Sequence, residues 1–306
     1  MAKSAGTNGL DIQREYICVA QFGSRDSSVR QVAVHPLPAG ADASGDGFWD
    51  VVSQELRGIK KKIRFAGADA VCSLPCDMAV VKTLEAESDE RDQDEILRWE
   101  LEASLLGPVA DYIYDFYEVD PGNQADRRRY LAAAVRRESI AKLKKAVRGI
   151  GLNPYIVDID LFALTSAFQS NYRERLAEAS ILVHGELRRT KMILVSNSSY
   201  INYAVADFDA GASAVADYAS MLRGEAARLL DASGFSGGDG AAVYLAGSVF
   251  TDLQFSADVI DAFPRSEMLD PFRKVACEAG IGEEQLKVYS PQLAVAVGLA
   301  LRGDEA

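Results

Sequence analysis

Histidine is scarce in this 306-residue sequence: only His35 and His184 occur, each without a partner pattern for histidine-based catalysis. Four cysteines, Cys18, Cys72, Cys76 and Cys277, are too few and too scattered for a zinc site. Cys72 and Cys76 are separated by a stretch containing Pro75, and no second pair or nearby histidine completes four ligands. Their apolar surroundings predict reduced, buried thiols. No Gly-x-x-x-x-Gly-Lys-Ser/Thr loop is present, which excludes a P-loop ATPase. Nor is there an apolar run of roughly 18 residues, the length a membrane-spanning helix requires. The start, Met1 to Gly9, lacks the apolar centre of a signal peptide, so a cytoplasmic protein is expected. Basic charge is also in deficit: the net charge is −12, and a surface short of cations disfavours nucleic acids and anionic membranes.

What remains is an ordinary globular composition, with 48% hydrophobic and 25% charged residues. A chain of this length supports two domains or one large α/β unit. The local basic runs, Lys60-Lys61-Lys62 with Arg64 and Arg127-Arg128-Arg129, read as solvated faces. The first also suits a helix C-terminus.

Periodicity predicts paired strands over 9–22 and 29–36 around the turn-rich 23–27, then an Ala/Gly/Asp linker over 39–47. A helix from Phe48 to about Ile63 carries Val51, Val52, Leu56, Ile59 and Ile63 at helical spacing. Strands follow over 68–74 and 78–84, and then a helix over 89–106. Strands over 112–119 and 130–135 flank the turn Pro121-Gly122-Asn123. A helix over 137–149 ends at glycine, a strand over 155–159 feeds a helix over 161–172, and Asp160 is placed to cap that helix. Three strands (180–184, 191–196, 200–205), a helix over 212–232 and a glycine-rich link over 234–240 come next. The chain closes with a strand over 242–246 and helices over 249–263, 271–279 and 291–301. The order meander, helix, strand, helix thus occurs over 8–170 and again over 179–302, which reads as a duplicated α/β unit of two mixed-sheet layers.

Two motifs of chemical interest have bland readings. Ser139-x-x-Lys142 has the spacing of an acyl-transfer pair, but its usual Ser-Asp-Asn and Lys-Thr-Gly companions are missing, and it lies on a charged amphipathic helix. Asp158 and Asp160 would share a strand face as an acid–base pair, yet a capping role for Asp160 makes a structural reading preferable.

Four ordered stretches resemble the type IV pilus assembly protein PilM family, related to FtsA and to the cytoplasmic domain of GspL. They are Gly9-Leu10-Asp11-Ile12; Ile96-Leu97-Arg98-Trp99-Glu100-Leu101-Glu102 through Pro108 to Asp115-Phe116-Tyr117; Leu131 to Arg136 through Gly151-Leu152-Asn153-Pro154 to Val157-Asp158-Ile159-Asp160-Leu161-Phe162-Ala163-Leu164; and Ser290-Pro291-Gln292-Leu293 through Gly298 to Arg302. The resemblance implies an α/β fold of duplicated actin-like (ribonuclease H-like) domains. The first would span 8–170 with a small α/β subdomain inserted at about 76–160, and the second, reduced, 171–306.

In that superfamily ATP lies between the domains. The positions corresponding to its cleft here are Asp11, Gln13, Gly185, Gly247 and Ser248. Gln13 stands where the family has glycine, and Val183-His184-Gly185 replaces the metal-associated Asp-Ile-Gly; valine cannot hold magnesium. Between Asp207 and Ala242 the helical roof over adenine is shortened. A vestigial cleft without catalytic residues or metal, and no cofactor, is therefore expected, with ATP and Mg as the competing expectation. Arg188 and Arg189 read as solvated strand-end residues.

The resemblance further implies a scaffold that docks a PilN-like bitopic membrane protein through its short cytoplasmic peptide, at the inner face of the inner membrane. Contact with the membrane would come only through that partner. The expected groove lies between the first subdomain and the inserted block, with Arg98, Trp99, Leu105, Tyr112 and Tyr155 as candidate contacts. The alternatives are an ATP-binding actin-like ATPase or small-molecule kinase, and a self-associating regulatory module.

Overall fold

The computed structural model describes residues 6–23, 28–38, 47–87, 93–119, 127–197, 199–235 and 241–305. The linker over 39–46, the turn at Pro121-Gly122-Asn123, most of the turn over 23–27 and most of the glycine-rich link lie outside the described residues.

The chain begins with three antiparallel strands, β1 (Thr7–Ile12), β2 (Tyr16–Phe22) and β3 (Val29–Pro36), followed by α1 (Phe48–Lys62) and β4 (Asp69–Leu74). A separate layer then forms from β5 (Ala79–Glu87), α2 (Gln93–Glu102), β6 (Tyr112–Val119) and β7 (Arg127–Arg136), its three strands antiparallel in the order β5-β7-β6. The chain returns through α3 (Arg137–Arg148) to β8 (Asn153–Ile159), which pairs parallel to β4. The first sheet is thus β3-β2-β1-β4-β8. The independent layer covers only 79–136, narrower than the expected 76–160, because α3 packs on α1 and β8 belongs to the first sheet.

After α4 (Asp160–Asn171) the same plan recurs: β9 (Ser180–Gly185), β10 (Arg189–Ser196) and β11 (Ser199–Asp207) form a meander, α5 (Val215–Ala232) follows, and β12 (Ala242–Ala246) pairs parallel to β9. Then come α6 (Leu253–Ala262), capped by the Asp252 carboxylate on the Gln254 and Phe255 amides, and β13 (Ser266–Met268), giving β11-β10-β9-β12-β13. Two sheets with the same order of antiparallel and parallel pairs embody the duplication that the sequence pattern implied.

The last helix, α7 (Glu283–Glu305), starts two turns before the expected Pro291 and keeps that proline inside. It packs on β1, β2, β4 and α4, so the C-terminus of the chain serves the first sheet, across the boundary expected at 170/171. Two glycines permit this approach: a Cβ on Gly9 would stand 2.1 Å from the Ala296 carbonyl oxygen, and one on Gly298 1.8 Å from that of Ala163. Gly9, which opens the first of the stretches that resemble the family, therefore serves helix packing. No helix forms over 271–279, because the segment bonds to β3 instead: Val29 N–H donates to Ala276 O, and Glu278 N–H to Val29 O. Among the described residues no helix is long and apolar enough to cross a membrane.

Candidate functional site

The β1–β2 turn and the β9–β10 turn, equivalent positions in the duplicated plan, face each other between the sheets. In each, the first residue's amide closes the turn, Gln13 N–H on Tyr16 O at 3.0 Å and Glu186 N–H on Arg189 O at 2.8 Å. The two turns are joined directly, since the Leu187 amide donates to the Glu15 carboxylate at 3.2 Å.

Between them lies a buried polar cluster centred on Lys191, on β10, whose side chain is 0% exposed. Its ammonium donates to Gln13 Oε1 at 2.9 Å, Asp160 Oδ2 at 2.7 Å and Glu186 Oε1 at 2.5 Å. Three N–H groups meet three acceptors, which is how a buried charge is made tolerable. Asp160, at the start of α4, accepts the Cys76 and Leu161 amides on Oδ1 at 3.0 and 2.8 Å. The expected cap is not formed: Ile159 is the N-cap of α4 and no side chain caps it, while the other Asp160 oxygen belongs to the cluster. Asp158 is not its acid–base companion: it turns to Arg302 on α7.

Asp11 Oδ1 accepts from Gln13 Nε2 at 2.7 Å and Ser73 Oγ at 2.8 Å, while buried Asp11 Oδ2 has no hydrogen-bond partner. Burial, partly opposed by His184, pushes the Asp11 carboxyl up to about 6. For Glu186 burial acts in the same upward direction but is outweighed by Lys191 and His184, which hold it at about 2. Burial of Lys191 is likewise outweighed, by the Asp160 and Glu186 carboxylates, and its ammonium is held well above the ordinary range. His184 lies across the β9–β10 ladder from Lys191. Its Nε2 meets the Tyr16 hydroxyl at 3.0 Å, and its Nδ1, without a hydrogen bond, is 3.5 Å from Glu186 Oε1.

Nearer the surface, Asp77 pairs with both Arg14 and Arg189, and Arg189 also reaches Asp207 at 2.6 Å. Arg189 is thus an ion-paired bridge, a correction to its reading as solvated, whereas Arg188 is exposed.

Of the five cleft positions named from sequence, Asp11 and Gln13 bond to each other within this cluster, and Gly185 and Gly247 pack on each other. A Cβ on Gly247 would lie 2.3 Å from Gly185 O, so these glycines allow backbone to pack on backbone. Ser248 Oγ reaches Glu15 Oε2 at 3.4 Å. The Leu187 amide, the Ser248 hydroxyl and the Asp160 and Glu186 carboxylates are engaged within the chain, whereas Asp11 Oδ2 is not, and two acidic residues, Glu15 and Glu186, occupy the facing turns. Lys191, Glu186 and Asp160 as a cluster escaped sequence reading. Their available signal was the apolar run Met192-Ile193-Leu194-Val195, which marks a strand buried on both faces and leaves the adjoining lysine no solvent side.

The candidate partner contacts do not form one patch. Arg98 and Trp99 are exposed on α2, Trp99 to 73%, and Leu105 is half-buried. Tyr112 is core, 4% exposed under α2, donating to Leu106 O at 3.1 Å with Arg136 over its ring, so it is corrected from contact to packing residue. Tyr155 lies outside the inserted layer, on β8, its hydroxyl donating to Gly303 O. Leu106, Ile113 and Tyr117, which the sequence reading did not select, are exposed on the inserted layer.

Strand order and the facing turns define a protein of the actin-like fold. The family model of type IV pilus assembly protein PilM matches residues 9–194, and the chain belongs to that family. Among solved structures it is similar to the PilM-PilN type IV pilus biogenesis complex, with 20% identity and a TM-score of 0.83 over 98% of this chain and 99% of that one. It also resembles the ethanolamine utilization protein EutJ from Carboxydothermus hydrogenoformans (10% identity, TM-score 0.54, 96% and 88% covered). A Bacteroides thetaiotaomicron protein with an actin-like ATPase fold is similar at 6% identity (TM-score 0.52, 97% and 96% covered). No curated protein matches the sequence.

Proposed function

We propose that the chain is a cytoplasmic scaffold of a type IV pilus or type II secretion assembly platform, which docks the cytoplasmic segment of a PilN-like bitopic inner-membrane protein and turns over no nucleotide. The observation that carries this reading is the distribution of exposed apolar side chains. Of the eight large hydrophobics exposed among the described residues, four, Trp99, Leu106, Ile113 and Tyr117, belong to the inserted layer. Scattered exposed apolar residues need no explanation, but a concentration on one small layer marks an interaction face. Ile113 and Tyr117 share one face of β6, which is an edge strand with a free side. Their ladder partners Val135 and Leu131 pack into the main body, so the two exposed residues stand beside the junction of insert and body. An extended peptide can add there as a strand, with apolar anchors against the shelf. The family to which the chain belongs, and the PilN named in the similar complex, support a PilN-like partner.

The test is titration of a fluorescent peptide comprising the N-terminal cytoplasmic segment of the PilN-like protein from the same organism. Saturable binding weakened at least tenfold by Tyr117→Ser supports the reading. No binding, or binding indifferent to Trp99→Ser and Tyr117→Ser, removes it.

A further inference from the structure

We infer that Lys191 is a resident cation: its ammonium fills the place where Asp160, His184 and Glu186 could gather around a divalent ion, and so keeps that ion out. Ligand atoms of these three buried residues lie within 4.8 Å of one another, the spacing of a metal site. Two of the three, Asp160 Oδ2 and Glu186 Oε1, already bind the ammonium at 2.7 and 2.5 Å. An ion seated on those oxygens has to displace Nζ, and Nζ has nowhere to go, because the Lys191 side chain is wholly enclosed. Buried near the same place are two atoms without a hydrogen-bond partner, His184 Nδ1 and Asp11 Oδ2. The enclosure therefore holds more ligand capacity than one ammonium uses, as expected where a three-donor cation stands in for an ion of higher coordination.

The consequence is mechanical as well as chemical. Gln13 and Asp160 come from the elements of the first sheet and Glu186 from the second, so Lys191 spans the joint that a metal–nucleotide ligand would otherwise span. The closure of this joint is then independent of any small molecule. Glu15 supports the same picture from the anionic side, because its carboxylate takes the Leu187 amide that an anion would have used. This inference involves no partner protein, and its test leaves the docking reading untouched.

The measurement is the melting temperature of the full chain in EDTA, in MnCl2 and in MgCl2 with ATP. Wild type is expected to melt at the same temperature in all three, and a saturable rise of several degrees with either addition overturns the inference. Lys191→Ala opens the enclosure while keeping the ligands. It is expected to gain a saturable rise with MnCl2 that disappears again in Lys191→Ala with Glu186→Gln. A folded Lys191→Ala protein that ignores MnCl2 also overturns it. Should Lys191→Ala fail to fold with or without MnCl2, the wild-type titration alone decides.

Discussion

Asp158 and Arg302, 144 positions apart, meet at 2.6 Å and fasten the last helix to the last strand of the first sheet. The carboxylate is buried and the guanidinium 41% exposed. Burial raises the Asp158 carboxyl, and Arg302 opposes that rise. Arg302→Ala leaves a buried carboxylate without its cation. Fully enclosed pairs lose about 3–5 kcal/mol in this way, but the exposed arginine is screened by solvent, so a loss of about 1–2 kcal/mol is expected. Urea unfolding of the variant at pH 7.5 checks the value.

Asp11 gives a prediction of opposite sign. Its carboxyl, raised from 3.8 to about 6, binds a proton more tightly in the folded chain than in the unfolded one. Stability from this group is therefore greatest below pH 4, falls as the pH rises from about 4 to 6, and is level beyond. Asp11→Asn keeps an acceptor for Gln13 and Ser73 and removes the charge. The variant is expected to match wild type near pH 4 and exceed it above pH 6, by up to about 3 kcal/mol from a shift of about two units. Unfolding curves across pH 4–8 decide it; a variant less stable than wild type at pH 7.5 contradicts the assignment.

At Lys191 the sign is again that of a paired charge. Lys191→Met strands the Asp160 and Glu186 carboxylates in the interior, and about 3–5 kcal/mol of stability is expected to be lost. Adding Glu186→Gln removes one stranded charge, so the double variant is expected to be more stable than Lys191→Met alone. Additive losses would show that the two side chains do not share an interaction.

The duplicated order was legible in the sequence because each half repeats a meander, a helix and a strand with clear periodicity, and alternation has the same meaning in both. Periodicity reports which residues avoid water; it does not report which partner an element finds. The segment 271–279 has a helical pattern, yet hydrogen bonding to β3 won. The early start of α7 was hidden by Pro291, which resembles a helix start but is tolerated inside this one. At the site, Gln13 was legible as a departure from glycine, whereas its role as a bridge from Asp11 to Asp160 and Lys191 depends on residues 147 and 178 positions away. Tyr112 and Tyr117 have similar sequence surroundings, and only the pleat of β6 decides that the first is core and the second exposed.

Gly298 separates a packing role from a ligand role. The Cβ of Gly298→Ala would fall 1.8 Å from the Ala163 carbonyl oxygen and 3.2 Å from the Ala167 amide, both backbone atoms that cannot swing aside. Helix α7 or α4 has to move, and overpacking of this kind costs about 1–3 kcal/mol or more. A comparison with Gly224→Ala on α5 isolates the cause, because nothing lies within 4 Å of the Cβ there. In that helix interior alanine is favoured over glycine by about 0.8–1 kcal/mol. The two variants, identical in chemistry, are expected to shift the melting temperature in opposite directions. If both raise it, the close approach of α7 to α4 is not present in solution.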